Sequence, residues 1–440
     1  MSHAWTTVSI GDLCKSGDAE LQTGPFGSQL HSYDYLPDGV PVVPTEAIGN
    51  GRLDHSVLPK ISMEKAASLG RHVLMPGDIL FARRGVQATG KAAMIRGHES
   101  GFICGTGAIR LRVKAKSGKL DPVYLACLLN DQASIDWFKF HAIGATMPNL
   151  NEGIIKAFTF ALPPLPEQRA IAATLGALDD KIELNRKMNA TLEAMARALF
   201  RDWFVDFGPT RAKMAGHAPT LAHELWCLFP DLLDDEGKPN GWEVSTIGEE
   251  VRVAGGSTPS TKDAEFWDGG INWATPKDLS NLAAPVLLET SRTISQAGLA
   301  KISSGLLPVG ALLLSSRAPI GYLAIAEVPV AINQGFIGMI CDKRISNVFA
   351  WLWTLENMDA ILAKANGSTF QEISKGNFRP LPVVVPSEPV LRAFDAIAKP
   401  LHERIAKNER ESRTLAQTRD LLLPRLMSGQ ILVQPDAMAG

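Results

Sequence analysis

The chain is written twice, and this duplication limits its possible folds more than any other feature. When Phe160-Ala-Leu-Pro-Pro164 is set over Val383-Val-Val-Pro-Ser387, adding 223 to every number keeps two long segments in register. Arg169 then falls on Arg392, Ile182 on Ile405, Asn185 on Asn408, Leu192 on Leu415 and Leu199 on Leu422. Upstream the match continues with drifting offsets, as loops of unequal length produce. Gly144-Ala-Thr146 answers Gly367-Ser-Thr369, Pro76-Gly-Asp-Ile-Leu-Phe81 answers Val309-Gly-Ala-Leu-Leu-Leu314, and Trp5-Thr-Thr-Val-Ser-Ile-Gly-Asp12 answers Trp242-Glu-Val-Ser-Thr-Ile-Gly-Glu249. A period of about half the chain is too long for a solenoid, whose repeats run ~20–50 residues. The pattern predicts a two-part unit duplicated about an internal pseudo-twofold.

Each copy opens with a stretch of mixed character, residues 1–160 and 242–386. Short β-rich runs such as Asp78-Ile-Leu-Phe-Ala82 and Ala108-Ile-Arg-Leu-Arg-Val113 alternate with Gly/Pro punctuation and a few helical patterns. These read as α/β globules. Different segments follow at 161–206 and 387–430. After Leu162-Pro-Pro-Leu-Pro166 a helix is predicted to start at Glu167, with an acid in its first turn as the helix dipole favours. Its apolar residues keep a heptad: Leu175, Leu178, Ile182, Asn185, Asn189, Leu192, Ala196, Leu199. The copy reads Ala398, Leu401, Ile405, Asn408, Ser412, Leu415, Arg419, Leu422. Two helices with one seam are expected to pair as an antiparallel coiled coil, the shared Asn185/Asn408 position fixing register. Two separate amphipathic helices, each packed on its own globule, are the alternative. Residues 207–241 read as a linker with a short helical piece near 222–229, and 431–440 as a tail.

The totals exclude several classes. Five scattered cysteines without a CxxC pair argue against a disulfide scaffold and fit a reducing cytoplasm. His217, His223 and Cys227 lie close together, but their spacing matches no common zinc pattern. Met1-Ser-His-Ala-Trp5 and the residues after it lack a signal-peptide pattern. The most apolar stretch, 306–332, is interrupted by Pro308, Arg317, Pro319, Glu327 and Pro329 and cannot span a bilayer as one helix. Gly85-Val-Gln-Ala-Thr-Gly90-Lys91-Ala92 approaches a phosphate-binding loop but has Ala92 where a Ser or Thr hydroxyl would hold Mg²⁺. No GxSxG elbow, HExxH or Asn-Pro-Pro-Tyr/Phe loop occurs. A binding protein without cofactor, metal or catalytic residues is expected; a nucleotide-dependent enzyme around 85–91 and a protein-interaction scaffold remain the other readings.

The positive signals are basic and local. Arg110, Arg112 and Lys114 alternate on one strand face, where phosphates could lie along them. Arg83 and Arg84 follow a strand, and Arg317 ends the equivalent strand of the second copy; Arg at such a place suits a guanine edge or a phosphate. Small-polar loops that could approach a backbone closely are Gly24-Pro-Phe-Gly-Ser28-Gln29, Gly255-Gly-Ser-Thr-Pro-Ser260, Thr275-Pro-Lys277, Asn333-Gln334-Gly335 and Gly367-Ser-Thr369, and Lys91 is a further candidate contact.

The chain resembles the DNA specificity (S) subunits of type I restriction-modification systems. The resemblance rests on Leu162-Pro-Pro-Leu-Pro-Glu-Gln-Arg-Ala-Ile171 opening the first helix, on Trp203-Phe-Val-Asp-Phe207 and Arg211-Ala-Lys-Met214 closing it, on Arg419-Asp-Leu-Leu-Leu-Pro-Arg-Leu-Met-Ser-Gly429, and on the tandem layout. It implies two target-recognition domains that read the halves of a split site in double-stranded DNA. It also implies helices that dock two adenine-N6 methyltransferase subunits, with motor-nuclease subunits joining that core, and no catalysis by the chain itself. A helix over 167–200 would be about 50 Å long at ~1.5 Å per residue, more than one DNA turn of ~34–36 Å. Because the two globules differ in loop sequence, an asymmetric bipartite target is expected.

Net charge qualifies this picture. The chain carries 44 Lys+Arg against 46 Asp+Glu, a formal charge of −2. Residues 1–160 hold 16 basic against 14 acidic side chains, and 242–385 hold 11 against 13. Tight binding of DNA by bulk charge alone is therefore not expected. A few placed contacts, completed by partner subunits, are.

Overall fold

The computed structural model describes residues 5–27, 29–49, 51–85, 88–144, 146–367 and 371–433. They form two compact units: 1–181 with 415–440, and 182–414. Each long helix contributes to both. Among the described residues no helix is long and apolar enough to cross a membrane.

The first unit is built on a four-stranded antiparallel sheet in the order Ala19–Thr23, Ala108–Val113, Ile79–Ala82, Ala92–Met94. Ile79–Ala82 is buried on both faces, which is why it reads as an unbroken apolar run. A smaller sheet contains the parallel pair Val40–Val43 and Ile103–Cys104. Thr6–Ser9 pairs antiparallel with Thr159–Leu162 and returns the chain to the foot of the first long helix. The second unit repeats this plan in the same order: Arg252–Gly255, Phe336–Ile340, Leu312–Ser316, Ile320–Ala326, with Val286–Leu287 added at the edge. Its parallel pair is Trp267–Ala274 with Ala331–Ile332, and its returning pair is Glu243–Thr246 with Pro382–Val385. The mixed α/β class and the duplication are both present.

The two long helices run Leu165–Phe204 and Glu388–Met427, 40 residues each. The first starts two residues before the predicted Glu167. Pro166 lies in its first turn, where a missing N–H costs nothing because no intrahelical partner exists there. Gln168 fastens this start to the first unit. Fully buried, it donates to Lys119 O and Pro163 O at 2.8 Å each and accepts from Asp121 N–H at 2.9 Å.

The helices pair antiparallel, as the two units show separately. In the second unit Asn408 Nδ2 donates to Asn189 Oδ1 at 2.8 Å, and Asn185 Nδ2 donates to Ser412 Oγ at 3.2 Å and Glu411 Oε2 at 3.0 Å. The Asn408–Asn189 and Asn185–Ser412 bonds are mates under the duplication, since 185 answers 408 and 189 answers 412. Further along, Phe200 and Phe394 meet edge to face at 5.9 Å. In the first unit Arg419 ion-pairs with Asp179 at 2.7 Å. The predicted seam is therefore occupied, though not as a uniform apolar zipper. Leu175, Asn185, Ala398, Ile405 and Asn408 are fully buried. Leu178, Ile182 and Leu415 are half-buried, Leu192 packs with Ala284, Val286 and Ile405, Leu199 and Leu401 join the second unit's main core, and Leu422 joins the first unit's. Packing on the globules thus accompanies the pairing.

The stretch read as a linker is more ordered than its composition suggested. It forms helices Gly208–Met214 and His223–Trp226, and Phe229 is buried against Trp203 at a ring distance of 4.9 Å. Aromatic residues spaced within a Pro/Gly-rich segment anchor it to the second unit's core.

Replacing Gln168 by Ala would leave the buried Pro163 carbonyl, and the part-buried Asp121 N–H and Lys119 carbonyl, without their partner. A loss of about 2–4 kcal/mol in unfolding free energy is expected from urea titration, against little change for the exposed neighbour Arg169→Ala.

Candidate nucleic-acid interface

In the second unit, three loops noted in the sequence converge. The parallel pairing of Ala274 with Ile332 sets Thr275-Pro-Lys277 beside Asn333-Gln-Gly335. Asn333 N–H donates to Ala274 O at 3.0 Å and Ser257 N–H to Ile332 O at 3.1 Å, while Thr258 Oγ1 donates to Gln334 Oε1 at 2.6 Å. The approach is close enough to require glycine: a Cβ on Gly256 would lie 1.7 Å from Ile332 O. Ser316 N–H donates to Gly335 O at 2.8 Å, which brings Arg317 to the end of the same ridge. Arg317 forms a β-bridge and a 3.7 Å ion pair with Glu372, and Glu372 bridges back to Asn366. Lys277 and Gln334 are exposed, and Asn333 is half-buried. The Thr275 hydroxyl is already committed, donating to Asp278 in a capping box at 2.8 Å. Burial pushes the Asp278 carboxyl up, but hydrogen bonds from Ser291 and Thr275 outweigh it and hold the group below its ordinary range.

The first unit uses the same frame with different side chains. Gly105 N–H donates to Val43 O at 3.0 Å, Gly24 N–H to Ala108 O at 2.9 Å and Arg83 N–H to Gly107 O at 2.9 Å. Arg84 bridges Asn149, and Asn149 bridges Ile143, matching Arg317, Glu372 and Asn366. Arg83 Nε donates to Asn149 Oδ1 at 3.2 Å, while Arg84 is exposed. Gln29 is exposed in a turn closed on itself, its N–H donating to Phe26 O and its Oε1 accepting from Phe26 N–H. Ser28 lies outside the described residues. Lys91 is half-buried at the end of a turn joining the antiparallel strands Ile79–Ala82 and Ala92–Met94. A phosphate-binding loop must feed a helix N-terminus, where free N–H groups point at the anion. This one feeds a strand, so the nucleotide-dependent reading loses its structural basis.

The basic strand face requires a correction. Arg110, Arg112 and Lys114 do share one face, but each meets a partner within the chain: Arg110 is buried, Arg112 largely so, and Lys114 lies in a half-exposed ion pair. The strand pairing sets Gln22 opposite Arg110 and Glu20 opposite Arg112. Arg110 is buried, donating to Gln22 Oε1 at 2.6 Å and Arg71 O at 3.1 Å, and burial pulls its pKa down. Arg112 holds Asp78 with two bonds of 2.6 Å each, and that partner raises its pKa. Lys114 pairs with Glu20. The two arginines are spent on buried Asp78, Gln22 and backbone carbonyls, and Lys114 on half-exposed Glu20, which leaves no continuous phosphate track. The acids that meet them are 34 or more positions away in sequence, beyond any local pattern.

One group escaped the sequence reading. Exposed Arg292 stacks over Trp267 with its guanidinium carbon 3.5 Å from the ring centroid, and Trp273 stands 5.0 Å from Trp267 in a T-shaped contact. The indoles donate to Ser260 O at 3.0 Å and Ser257 O at 3.2 Å, so both brace the loop that reaches Gln334. Among the described residues no carboxylate pairs with Arg292. Its position depends on the antiparallel match of Trp273 with Arg292, which has no short-range signal.

Two α/β globules with matching polar ridges, built on paired helices, have the form of a modular recognition protein. A family model described as "Type I restriction modification DNA specificity domain" matches residues 3–194 and 239–414, one stretch in each copy. The chain belongs to this family and is a type I restriction-modification specificity subunit. It is 23% identical over 476 residues to the Type I restriction enzyme HindI specificity subunit of Haemophilus influenzae, covering 97% of this chain and 99% of that one. It is 26% identical over 317 residues to the MjaIX specificity subunit of Methanocaldococcus jannaschii, covering 71% and 69%. Among solved structures, the S subunit from M. genitalium shares the fold at TM-score 0.57 and 17% identity, over 97% of both chains.

If Arg110 serves the interior, Arg110→Ala lowers unfolding free energy by about 2–4 kcal/mol in urea titration. An unchanged stability with a shallower salt dependence of DNA binding would restore it to the surface.

Proposed function

We propose that the chain reads an asymmetric, bipartite site in double-stranded DNA, one half through each globule. In this reading it scaffolds two adenine-N6 methyltransferase subunits, which the motor-nuclease subunits join, all within the cytoplasm. The observation that supports it is the repeated ridge. The backbone bridges of Arg84, Asn149 and Ile143 recur at Arg317, Glu372 and Asn366, yet the neighbouring tips differ, with Gly105-Thr-Gly107 where the second unit has Asn333-Gln-Gly335. One frame with two sets of donors and acceptors suits two different base sequences. Gln29, Arg84, Lys277, Arg317, Asn333 and Gln334 are the candidate contacts. With Arg110 and Arg112 committed internally and Lys114 paired with Glu20, affinity rests on other placed cations and on partner subunits closing around the duplex. The paired helices supply the docking surface, and the chemistry belongs to the partners.

Exchanging residues 1–160 for the corresponding domain of another family member changes one half of the methylated sequence and leaves the other half and the spacer intact. Methylation mapping of host DNA reads this out, and a change in both halves would defeat the assignment of one half to each globule.

Arg292 is a phosphate contact in this reading. The stack holds a side chain that otherwise carries about 2 kcal/mol of rotamer entropy, and cation–π attraction contributes about 0.5–2 kcal/mol. Arg292→Ala weakens binding by the assembled complex roughly tenfold for all sequences alike and reduces the salt slope by about 0.9. Fluorescence anisotropy across a salt series measures both, and a loss confined to one base position would make it a base reader instead.

A further inference from the structure

Among the described residues one group of three side chains can converge on a metal ion: His55, His98 and Glu99, whose ligand atoms all lie within 4.8 Å of one another. Glu99 is 2% exposed. Its Oε2 accepts the Arg96 N–H at 2.7 Å in a tight turn, which aims Oε1 outward at the two imidazoles. His55 Nε2 stands 2.7 Å from Oε1 and His98 Nε2 3.9 Å. A simple ion pair between His55 and Glu99 accounts for the first distance but gives His98 no role. Among the described residues His98 makes no hydrogen bond, and its ring lies 5.5 Å from that of His55.

We infer that these residues form a zinc site of two imidazoles and one carboxylate, with water completing the tetrahedron. Zinc takes nitrogen at ~2.0–2.1 Å and carboxylate oxygen at ~2.0–2.2 Å, so neighbouring ligands in a tetrahedron stand about 3.3 Å apart. The observed 2.7 and 3.9 Å fall on either side of that value. The adjustment falls on His55 and His98, whose side chains are 45% and 61% exposed and free to turn, while buried Glu99 stays fixed. Imidazole nitrogen with a single carboxylate suits zinc better than magnesium or calcium, which prefer all-oxygen sets. The ion would tie the turn His55–Val57 to the turn Gly97–Glu99. Both turns adjoin residues that grip the first long helix: Arg52 donates to Asp179 O at 2.7 Å, and Arg96 lies 3.8 Å from Asp180. Zinc would therefore brace the hold of the first globule on its helix. The separation of His55 from His98 and Glu99 hides the set from any motif search.

The test is titration of the metal-free full chain with zinc chloride against a chromophoric chelator, with thermal melting in parallel. One equivalent bound at micromolar affinity or tighter, and a melting point raised by several degrees, are expected. His98→Ala removes an exposed ligand without disturbing a described hydrogen bond. It should weaken binding roughly tenfold or more and abolish the thermal shift. Cys227→Ser addresses the other exposed pair, Cys227 Sγ and His223 Nε2 at 3.6 Å, and should leave both readouts unchanged. Absence of stoichiometric binding, or binding that survives His98→Ala and is lost in Cys227→Ser, would overturn the site.

Discussion

The structure depends on a buried polar contact in a largely apolar seam. Asn185, Asn189 and Asn408 are buried where the long helices cross, and they hydrogen-bond to one another's helix and to Ser412. Burying amides is expensive. The Oδ1 atoms of Asn185 and Asn408 have no partner, at about 1–3 kcal/mol for each such atom. What the contact supplies is register. Sliding either helix by one turn breaks this set of bonds, so the buried amides lose the partners they have here. Register in turn decides which side chains enter each core. Leu426 and Met427 complete the first unit, while Phe394 and Ala398 complete the second.

The same physics governs the charges. Many of the ionisable groups are placed against one another. The first globule does so by sandwiching Arg110, Arg112 and Lys114 between Glu20, Gln22 and Asp78. In the second, Arg344 joins Glu250 and Glu243, and Arg410 reaches Glu327 at the helix. Among the cations outside such pairs, Arg84 and Lys277 stand exposed on the ridges, and Arg292 is held in advance by indole. In the proposed function, such a surface gives selectivity through geometry and leaves long-range attraction to the partner subunits.

Much of this was legible in the sequence. The offset of 223 between the halves fixed the duplicated plan, and the heptads running from Leu175 and from Ala398 marked the paired helices. The shared Asn185 and Asn408 pointed to the register contact, and short Gly-bounded loops pointed to the ridge formed by Asn333, Gln334 and Thr275. These signals are local or repeated, so one chain displays them without tertiary information. The basic strand misled for the complementary reason: alternation shows that three cations share a face, but not what that face meets.

Sequence alone therefore determined the α/β class, the duplication, the long helices and the family, because periodicity and repetition are properties of order along the chain. Tertiary structure alone decided which charges are spent internally, that Arg292 stacks over the Trp267 indole, that residues 207–241 are anchored by Phe229, and that His55 faces His98 and Glu99. Each of these rests on a pairing between segments distant in sequence. Whether a polar side chain serves the interior or a ligand depends on its partner across that pairing, since an unpaired charge is costly when buried and available when exposed.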